Sequence, residues 1–232
     1  MHDHSKLDSF GKDRAKAYDQ GNSHLVPILE NLHYLIKILL GELAPSSRIL
    51  CVGAGTGSEI IELAEAFPKF TFVAVDPSES MLEVCRGKLQ KLNLMGRCEL
   101  ICGSIEDVPK AEVFDAALCL LVLHHVSLEE RANIVSGIFK RLKTAGYFVC
   151  AEVSYDLSSG TFADILEKWK AMIRRSGLPE ETIQSLPKMM KEHLFIQSPA
   201  DAERLLEKNG FEAPIQFFQS LLIRAWYAQK KR

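Results

Sequence analysis

The chain has 232 residues, of which 47% are hydrophobic and 25% are charged, and its formal net charge is −2 at pH 7. This length and balance are typical of a globular protein with one sizeable core. A nearly neutral chain has no basic excess to attract nucleic acid or acidic membranes, so we expect neither as a partner. The six cysteines form no C-x-x-C pair, and we therefore expect buried, reduced thiols and no metal site.

The first part of the chain, residues 1–45, is predicted to be a helical arm. Residues 5–20 are polar with scattered apolar positions, and Ser23 is the expected N-cap of a helix that runs to about Leu43. Charged side chains interrupt that helix, so we do not expect it to span a membrane. The polar start lacks the apolar core of a signal peptide, which predicts a cytoplasmic protein.

From Arg48 onward, short apolar runs alternate with segments of helical periodicity. Such βα repeats predict an α/β protein with a doubly wound parallel sheet, covered by helices on both faces. The predicted strands cover about 48–52, 70–76, 98–102, 113–121 and 147–153. The predicted helices cover about 56–67, 78–92 and 128–142.

The alternation of strands and helices ends after the fifth strand. Residues 155–197 are predicted to form a helical cap inserted into a domain of residues 46–232. Its helices cover about 162–173 and 180–190, and Trp169 lies on the apolar stripe of the first one. Ser198 then begins a helix that ends at Gly210. Two strands separated by Gln219-Ser220 predict an antiparallel hairpin, which completes a mostly parallel seven-stranded sheet.

The segment Gly53-Ala54-Gly55-Thr56-Gly57 lies between the first strand and its helix. Glycine leaves the backbone open to a ligand, and the helix N-terminus adds unpaired N–H groups and a partial positive charge. Asp76 closes the second strand. In a βαβ unit that carboxylate lies beside the glycine turn, where it can bind both hydroxyls of a ribose. The pattern therefore predicts a nucleoside-type cofactor.

A nicotinamide or flavin dinucleotide is the alternative for this turn. The dinucleotide fingerprint has its third small residue at the position of Ser58, whereas the third glycine here is Gly57. The spacing favours a cofactor without a pyrophosphate.

Five segments together resemble the class I S-adenosylmethionine-dependent methyltransferases, over about residues 48–227. They are the glycine turn, Val75-Asp76-Pro77-Ser78, Gly103-Ser104-Ile105-Glu106-Asp107, Phe114-Asp115 with the strand that runs into Leu123-His124-His125-Val126, and Leu142-Lys143-Thr144-Ala145-Gly146. The resemblance implies a Rossmann-like methyltransferase fold, S-adenosylmethionine as cofactor and S-adenosylhomocysteine as product.

The resemblance also implies a role for individual residues at the cofactor. They are Gly53, Ala54, Gly55 and Gly57 at the methionine part, Asp76 with Pro77 at the ribose, Ser104 and Ile105 at the adenine, and the carbonyl of Leu120 at the methionine ammonium. Two positions depart from the superfamily pattern, since Cys51 and Ser104 stand where acidic residues are frequent. Both changes remove negative charge, which leaves open a cofactor derivative or an inactive homologue.

His124 and His125 follow the fourth strand, at the sheet edge where catalysis belongs in such folds. An imidazole there can act as a general base, and a loop turn without catalytic duty is the alternative. Further candidates for the substrate pocket are Tyr18, Asp19 and His24 from the arm, with Tyr155 and Trp169 from the cap.

The nucleophile's identity is not encoded in a recognisable motif. The Asn/Asp-Pro-Pro-Tyr signature of enzymes that methylate nucleic-acid amines is absent after the fourth strand, which favours a small-molecule acceptor. The cap and tail also resemble carboxy-S-adenosylmethionine synthases, although Leu205 stands where we would align their carboxylate-binding arginine. A non-catalytic cofactor-binding or partner subunit is the third hypothesis, and a homodimer is compatible with all three.

Overall fold

The computed structural model describes residues 25–231, which form one seven-stranded sheet with helices on both faces. The strands are β1 (Arg48–Val52), β2 (Thr71–Asp76), β3 (Cys98–Cys102), β4 (Phe114–Leu120), β5 (Leu142–Val153), β6 (Phe211–Ser220) and β7 (Ile223–Lys230). Their order across the sheet is β3-β2-β1-β4-β5-β7-β6. The first five strands pair in parallel, while β7 pairs antiparallel with both β5 and β6. This confirms the predicted sheet and its C-terminal hairpin.

Seven α-helices occur in the described part of the chain. They are α1 (Val26–Leu40), α2 (Ser58–Ala66), α3 (Glu79–Lys91), α4 (Leu128–Arg141), α5 (Phe162–Arg174), α6 (Glu180–His193) and α7 (Pro199–Lys208). Buried side chains form two clusters, one that includes α1, α2, α3 and the cap helices α5 and α6, and one that includes α4 and α7. Each cluster buries apolar area against one face of the sheet, which is the main favourable term in folding.

Several predicted boundaries differ from those of the structure. Helix α1 begins at Val26 with Leu25 as its N-cap, and Ser23 lies outside the described residues. Pro27 sets the first turn here, because its fixed φ suits the start of a helix. The C-terminal hairpin turns at Leu221 and the residue after it, not at Gln219-Ser220, since β6 runs through Ser220 and Leu221 has a φ of 52°.

Strand β5 starts at Leu142 rather than Tyr147, because Leu142 already pairs with Phe114 in β4. Ser78, Ser127 and Ser198 accept backbone N–H bonds as the N-caps of α3, α4 and α7. These local signals place the helices as the sequence predicts. No helix within residues 25–231 is long and apolar enough to cross a membrane.

The strand order brings several sequence-distant loops to one edge of the sheet. The chain winds outward from β1 to β3, then returns to β4 on the other side of β1. In open sheets of this kind, ligands bind outside the carboxyl ends of the strands, at the point where the winding direction reverses. Here that point lies between β1 and β4, beside the glycine turn that follows β1.

Candidate cofactor and active site

The glycine turn adopts a backbone that other residues rarely accept. Gly53, Gly55 and Gly57 have φ values of 69°, 51° and 78°. A Cβ on Gly53 would lie 2.3 Å from a methyl carbon of Val122, and one on Gly57 would lie 2.4 Å from Cys85 Sγ. These two glycines are therefore required for packing as well as for the turn, whereas Gly55 leaves its backbone open to a ligand.

Asp76 is held directly beneath this turn. Its Oδ2 accepts the N–H of Gly55 at 2.8 Å, and its Oδ1 accepts the N–H of Ser78 at 2.9 Å. Burial raises the pKa of Asp76, and the two backbone donors oppose that rise. Since an ionised carboxylate has about four acceptor positions, two remain for further donors. The same side chain thus supports the start of α3 and faces the turn.

Ser104 begins the short helix Ile105–Asp107 in a reciprocal capping arrangement. Its N–H donates to Asp107 Oδ2 at 2.7 Å, and its Oγ lies 3.2 Å from the same oxygen. The sequence indicated a loss of negative charge at Ser104, yet the carboxylate of Asp107 lies against it. Ile105 is buried, with a side chain that a Cβ on Gly137 would approach to 2.7 Å.

The chain leaves β4 through a strained turn. Leu121 has a φ of 59°, and its N–H donates to the carbonyl of Ala151 at 2.6 Å. A non-glycine residue in the left-handed region costs about 1 kcal/mol or more and persists only where its surroundings enforce it. The turn directs the chain from the half-buried Leu120 into the short helix Leu123–His125.

The two adjacent histidines occupy different environments. His124 is 4% exposed, and its Nδ1 accepts the N–H of Val153 at 3.2 Å, which places the ring proton on Nε2. Its carbonyl accepts the N–H of Phe195 at 2.8 Å. Burial lowers the pKa of His124 well below its usual value, so the ring is neutral. His124 therefore links the ends of β4 and β5 to the segment that follows α6.

His125 is exposed, and its ring lies 4.3 Å from that of His124, centroid to centroid. Partial desolvation lowers the pKa of His125 below its usual value. No side chain or backbone group within residues 25–231 makes a hydrogen bond to its imidazole. Of the pair, His125 is the one with a ring nitrogen available to accept a proton.

A buried ion pair supports the histidine loop, which is the short helix Leu123–His125. Arg131 of α4 and Glu152 of β5 are 0% and 1% exposed, with an Nη1–Oε2 distance of 3.0 Å. Arg131 Nη2 also donates to the carbonyls of Leu123 at 2.8 Å and Phe195 at 2.6 Å, and Nη1 donates to Gln197. Burial raises the pKa of Glu152 to about 7 despite the guanidinium. This network ties α4, β5 and the end of the cap to one loop.

Glu59, in the first turn of α2, lies two residues after the last glycine of the turn, and the sequence did not single it out. It is partly exposed, yet burial raises its pKa to about 7, the charge of Asp76 raises it further, and Lys88 opposes the rise. The sequence feature that could have pointed to Glu59 is its position, two residues after the third glycine. Because a first-turn glutamate usually just complements the helix dipole, that signal alone has no specific meaning.

The predicted pocket residues are separated. Tyr18, Asp19 and His24 lie outside the described residues. Trp169 is 7% exposed and belongs to the buried cluster that also contains the cap residues Ile183 and Met190. Packing between cap helices is thus what the structure shows for Trp169.

Tyr155 lines a cavity of 470 Å³, together with Leu128, Asp156 and Gln197. Its hydroxyl lies 2.8 Å from Thr161 Oγ1. A second cavity, of 360 Å³, is bordered mainly by apolar side chains of the cap. Neither cavity is lined by the glycine turn, Asp76 or the histidines.

The part of the chain that the structure describes contains no group of three His, Cys, Asp or Glu side chains placed to hold a metal ion. All six cysteines are free thiols. Five are buried as expected, whereas Cys102 at the end of β3 is exposed.

Comparison with known proteins identifies the domain and its fold. Residues 49–146 match the family described as "Methyltransferase domain". A carboxy-S-adenosyl-L-methionine synthase from Methylococcus capsulatus is 28% identical over 221 residues, which cover 94% of this chain and 89% of that protein. A second protein of that name, from Campylobacter hominis, is 24% identical over 95% of this chain and 94% of its own length.

Solved structures of methyltransferases share the architecture. The S-adenosylmethionine-dependent methyltransferase SibL, in its apo form, superposes with a TM-score of 0.68 at 18% identity, over 99% of this chain and 62% of that one. A putative O-methyltransferase from Nostoc punctiforme gives 0.66 at 19% identity, over 94% and 60%. The chain spans about three fifths of these two structures. At 18% and 19% identity, these similarities show a shared fold and nothing more specific.

Proposed function

We propose that this chain, whose residues 49–146 match a methyltransferase domain family, transfers the methyl group of S-adenosylmethionine to a small-molecule acceptor. S-adenosylhomocysteine is then the product. The observation that carries this proposal is the contact between Asp76 and the Gly55 N–H, which holds a carboxylate against an open backbone turn at the switch point of the sheet.

The residues at that edge fit such a cofactor. Gly55 leaves room above the turn, because within residues 25–231 its ideal Cβ meets one atom, Met81 Cε, at 3.4 Å. Asp76 has free acceptor positions for the ribose, and Ser104 with the buried Ile105 forms the wall proposed for the adenine. When bound, S-adenosylmethionine supplies an electrophilic methyl group. The protein's task is then mainly to position the acceptor in line with it.

For an acceptor that must lose a proton, we propose His125 as the general base. Its lowered pKa keeps the imidazole neutral near pH 7, so it can accept a proton. We propose that His124 is a positioning residue, since its Nδ1 is already bonded to the Val153 N–H. The proposed functional unit is residues 46–232 with the cap at about 155–197, preceded by the arm at 1–45. We propose a cytoplasmic location, and a homodimer stays a prediction.

A second candidate is carboxy-S-adenosylmethionine synthase activity, which is favoured by relatives of that name along nearly the whole chain. Its product carries an additional carboxylate, which needs a cationic partner when buried. Leu205 packs against a buried apolar cluster. The neighbouring Arg204 is 60% exposed and pairs with Asp201. Since α7 offers no free cation at this position, methyl transfer is the first proposal.

Calorimetric titration tests the cofactor. Wild-type protein should bind S-adenosylmethionine and S-adenosylhomocysteine and should not bind NADH. Asp76→Asn keeps the shape but loses the charge. It should weaken binding by about 2–4 kcal/mol, roughly 30- to 700-fold, because hydrogen bonds to a charged acceptor are lost. Asp164→Asn, an exposed change on the cap helix α5, is the matched control and should leave affinity unchanged.

The outcomes separate the hypotheses. Unchanged affinity in Asp76→Asn would refute the ribose assignment, and NADH binding would favour a dinucleotide. Binding of none of the three ligands would refute the proposal and favour the non-catalytic subunit. Mass spectrometry of ligand released from the purified protein tests the second candidate, because a carboxylated cofactor is heavier than S-adenosylmethionine.

A further inference from the structure

The two cavities beside the cap share a wall. The cavity of 470 Å³ and the cavity of 360 Å³ have three lining residues in common, Leu157, Phe195 and Ile196. Because the cavities lie side by side along these residues, they form one elongated depression, which we call the cap groove. Each volume falls within the range of about 300–1,000 Å³ that is typical of small-molecule sites.

The two ends of the cap groove differ in polarity. The smaller cavity is bordered by apolar side chains, among them Phe162 and Met190, and by one basic residue, Lys191. The larger cavity is bordered by two carboxylates, Asp156 and Asp201, and none of the described residues that line it is basic. A ligand that matches both ends has an apolar tail and a positively charged head.

Three large apolar side chains around the larger cavity are left uncovered by the described part of the chain. Leu128, Leu157 and Phe195 are 57%, 51% and 48% exposed, and all three line that cavity. A single exposed apolar residue is ordinary, whereas several around one cavity are typical of a binding groove. A ligand that covers them removes apolar area from water, which favours binding.

Asp156 supplies the negative charge of the larger cavity. Its Oδ1 accepts the hydroxyl of Ser158 at 2.7 Å and the N–H of Ser158 at 2.9 Å. These hydrogen bonds lower the pKa of Asp156, so the side chain is a carboxylate at neutral pH. Within residues 25–231 Asp156 forms no ion pair, and the charge that acts on it is that of Asp201, which itself pairs with Arg204. An unneutralised carboxylate beside a second one attracts a cation.

The shared wall is fixed by backbone hydrogen bonds, so the groove is formed before a ligand binds. The N–H of Phe195 donates to the carbonyl of His124 at 2.8 Å, and the carbonyl of Phe195 accepts Arg131 Nη2 at 2.6 Å. The carbonyl of Gln197 accepts the N–H of Tyr155 at 3.0 Å. A wall that is already ordered loses little entropy on binding.

We propose that the cap groove binds an amphiphilic cation, with its apolar tail against Leu157 and Phe195 and an ammonium head beside Asp156. This inference goes beyond the proposed function, because the residues that line the groove are not those of the proposed cofactor site. An amphiphilic anion fits less well. With its head at Lys191 it would place an apolar tail against the carboxylate of Asp156, which disfavours desolvation.

Calorimetry at pH 7 with octylamine, octanol and octanoate tests the proposal, with each probe below its micellar concentration. The three probes have tails of similar length and differ in the charge of the head. Octylamine, which is protonated at this pH, should bind more tightly than octanol, and octanoate should bind most weakly. Hexylamine, which is two methylene groups shorter, should bind up to about 15-fold more weakly than octylamine.

Two pairs of variants locate the probe. Asp156→Asn should weaken octylamine binding by about 3- to 5-fold and leave octanol binding unchanged. Asp164→Asn makes the same charge change at an exposed position of α5 that lines neither cavity, and it should bind octylamine as the wild type does. Leu157→Gln should weaken binding of both probes by about 3- to 10-fold. Ile215→Gln, at a residue of β6 that is 49% exposed, is its matched control.

Losses in Asp156→Asn and Leu157→Gln that their controls do not show support the proposal. Octanoate binding as tight as that of octylamine, equal affinities in a variant and its control, or no binding of any probe would overturn it. Displacement of octylamine by S-adenosylhomocysteine would also overturn it, because the probe would then occupy the proposed cofactor site.

Discussion

Replacement of Arg131 by leucine should show how strongly the buried ion pair supports the histidine loop. Arg131 is completely buried and lies 3.0 Å from Glu152, which is 1% exposed. Its guanidinium also donates to the carbonyls of Leu123 and Phe195. Arg131→Leu removes the charge and these donors but keeps an apolar side chain in the space.

The magnitude follows from these contacts. Removal of one partner of a buried pair costs about 3–5 kcal/mol, because the other charge is left uncompensated. At low pH Glu152 can be protonated, so that only the lost hydrogen bonds remain, at about 1 kcal/mol each. The loss of stability in Arg131→Leu should therefore be larger at pH 8 than at pH 5. Burial raises the pKa of Glu152 to about 7 even in the intact pair, which places the change within this window.

Urea unfolding followed by circular dichroism measures the effect. With a slope of about 2–3 kcal/mol/M, the midpoint of Arg131→Leu should fall by about 1–2 M at pH 8. Arg204→Leu removes an exposed arginine that also pairs with an acid, and it should cost less than about 1 kcal/mol. The double variant Arg131→Leu/Glu152→Leu should regain about 2 kcal/mol or more over Arg131→Leu, since no charge is then left buried.

Two results would contradict a stabilising role of the buried charge pair: Arg131→Leu being no less stable than Arg204→Leu, or the double variant being as unstable as the single one. The first result would mean that water or other groups solvate Glu152 after the change. The second would mean that the lost hydrogen bonds, and not the buried charge, account for the cost.

Two further predictions concern the turn and the histidine loop. Gly55→Val should abolish S-adenosylhomocysteine binding in calorimetry, because a β-branched residue is strained at a φ of 51° and blocks the open backbone. Gly160→Val, where an added Cβ meets no atom of the described residues within 4 Å, should bind normally, and normal binding by Gly55→Val would show that the turn is not the cofactor site. The pKa of His124 is well below 6.5 in the folded protein, so the unfolded chain takes up the proton first and stability falls as the pH drops below 6.5. Relative to His124→Gln, wild-type stability in urea should decline by up to about 1.4 kcal/mol per pH unit, and parallel curves for the two proteins would contradict the buried, neutral imidazole.

Much of the sheet and the proposed cofactor turn could be predicted because their signals are local. Strand β1 ends at Val52 as predicted, and the glycines after it adopt left-handed conformations that hardly any other residue accepts at low cost. Ser78 caps α3 through its own next turn. In each case the interactions that decide the local structure join residues that are close in sequence, so that structure can be predicted from the sequence.

The hairpin shows where local signals fail. Leu221 takes a left-handed conformation that leucine rarely adopts, whereas the polar pair before it, Gln219-Ser220, which predicted the turn, belongs to β6. Pairing of Ser220 with Ile223 and of Glu152 with Arg224 sets the register instead. A turn that is imposed by strand pairing across the sheet has no sequence signature of its own.

By itself the sequence determined the doubly wound architecture, the glycine turn and the placement of Asp76, since hydrophobic period, glycine conformation and helix caps act over short spans. Only the tertiary structure decided which of two adjacent histidines is engaged by a hydrogen bond. The physical reason is that burial, hydrogen-bond partners and charge neighbours come from strands far apart in the chain. His124 and Val153, for example, are separated by 29 positions and meet only because β4 and β5 are adjacent.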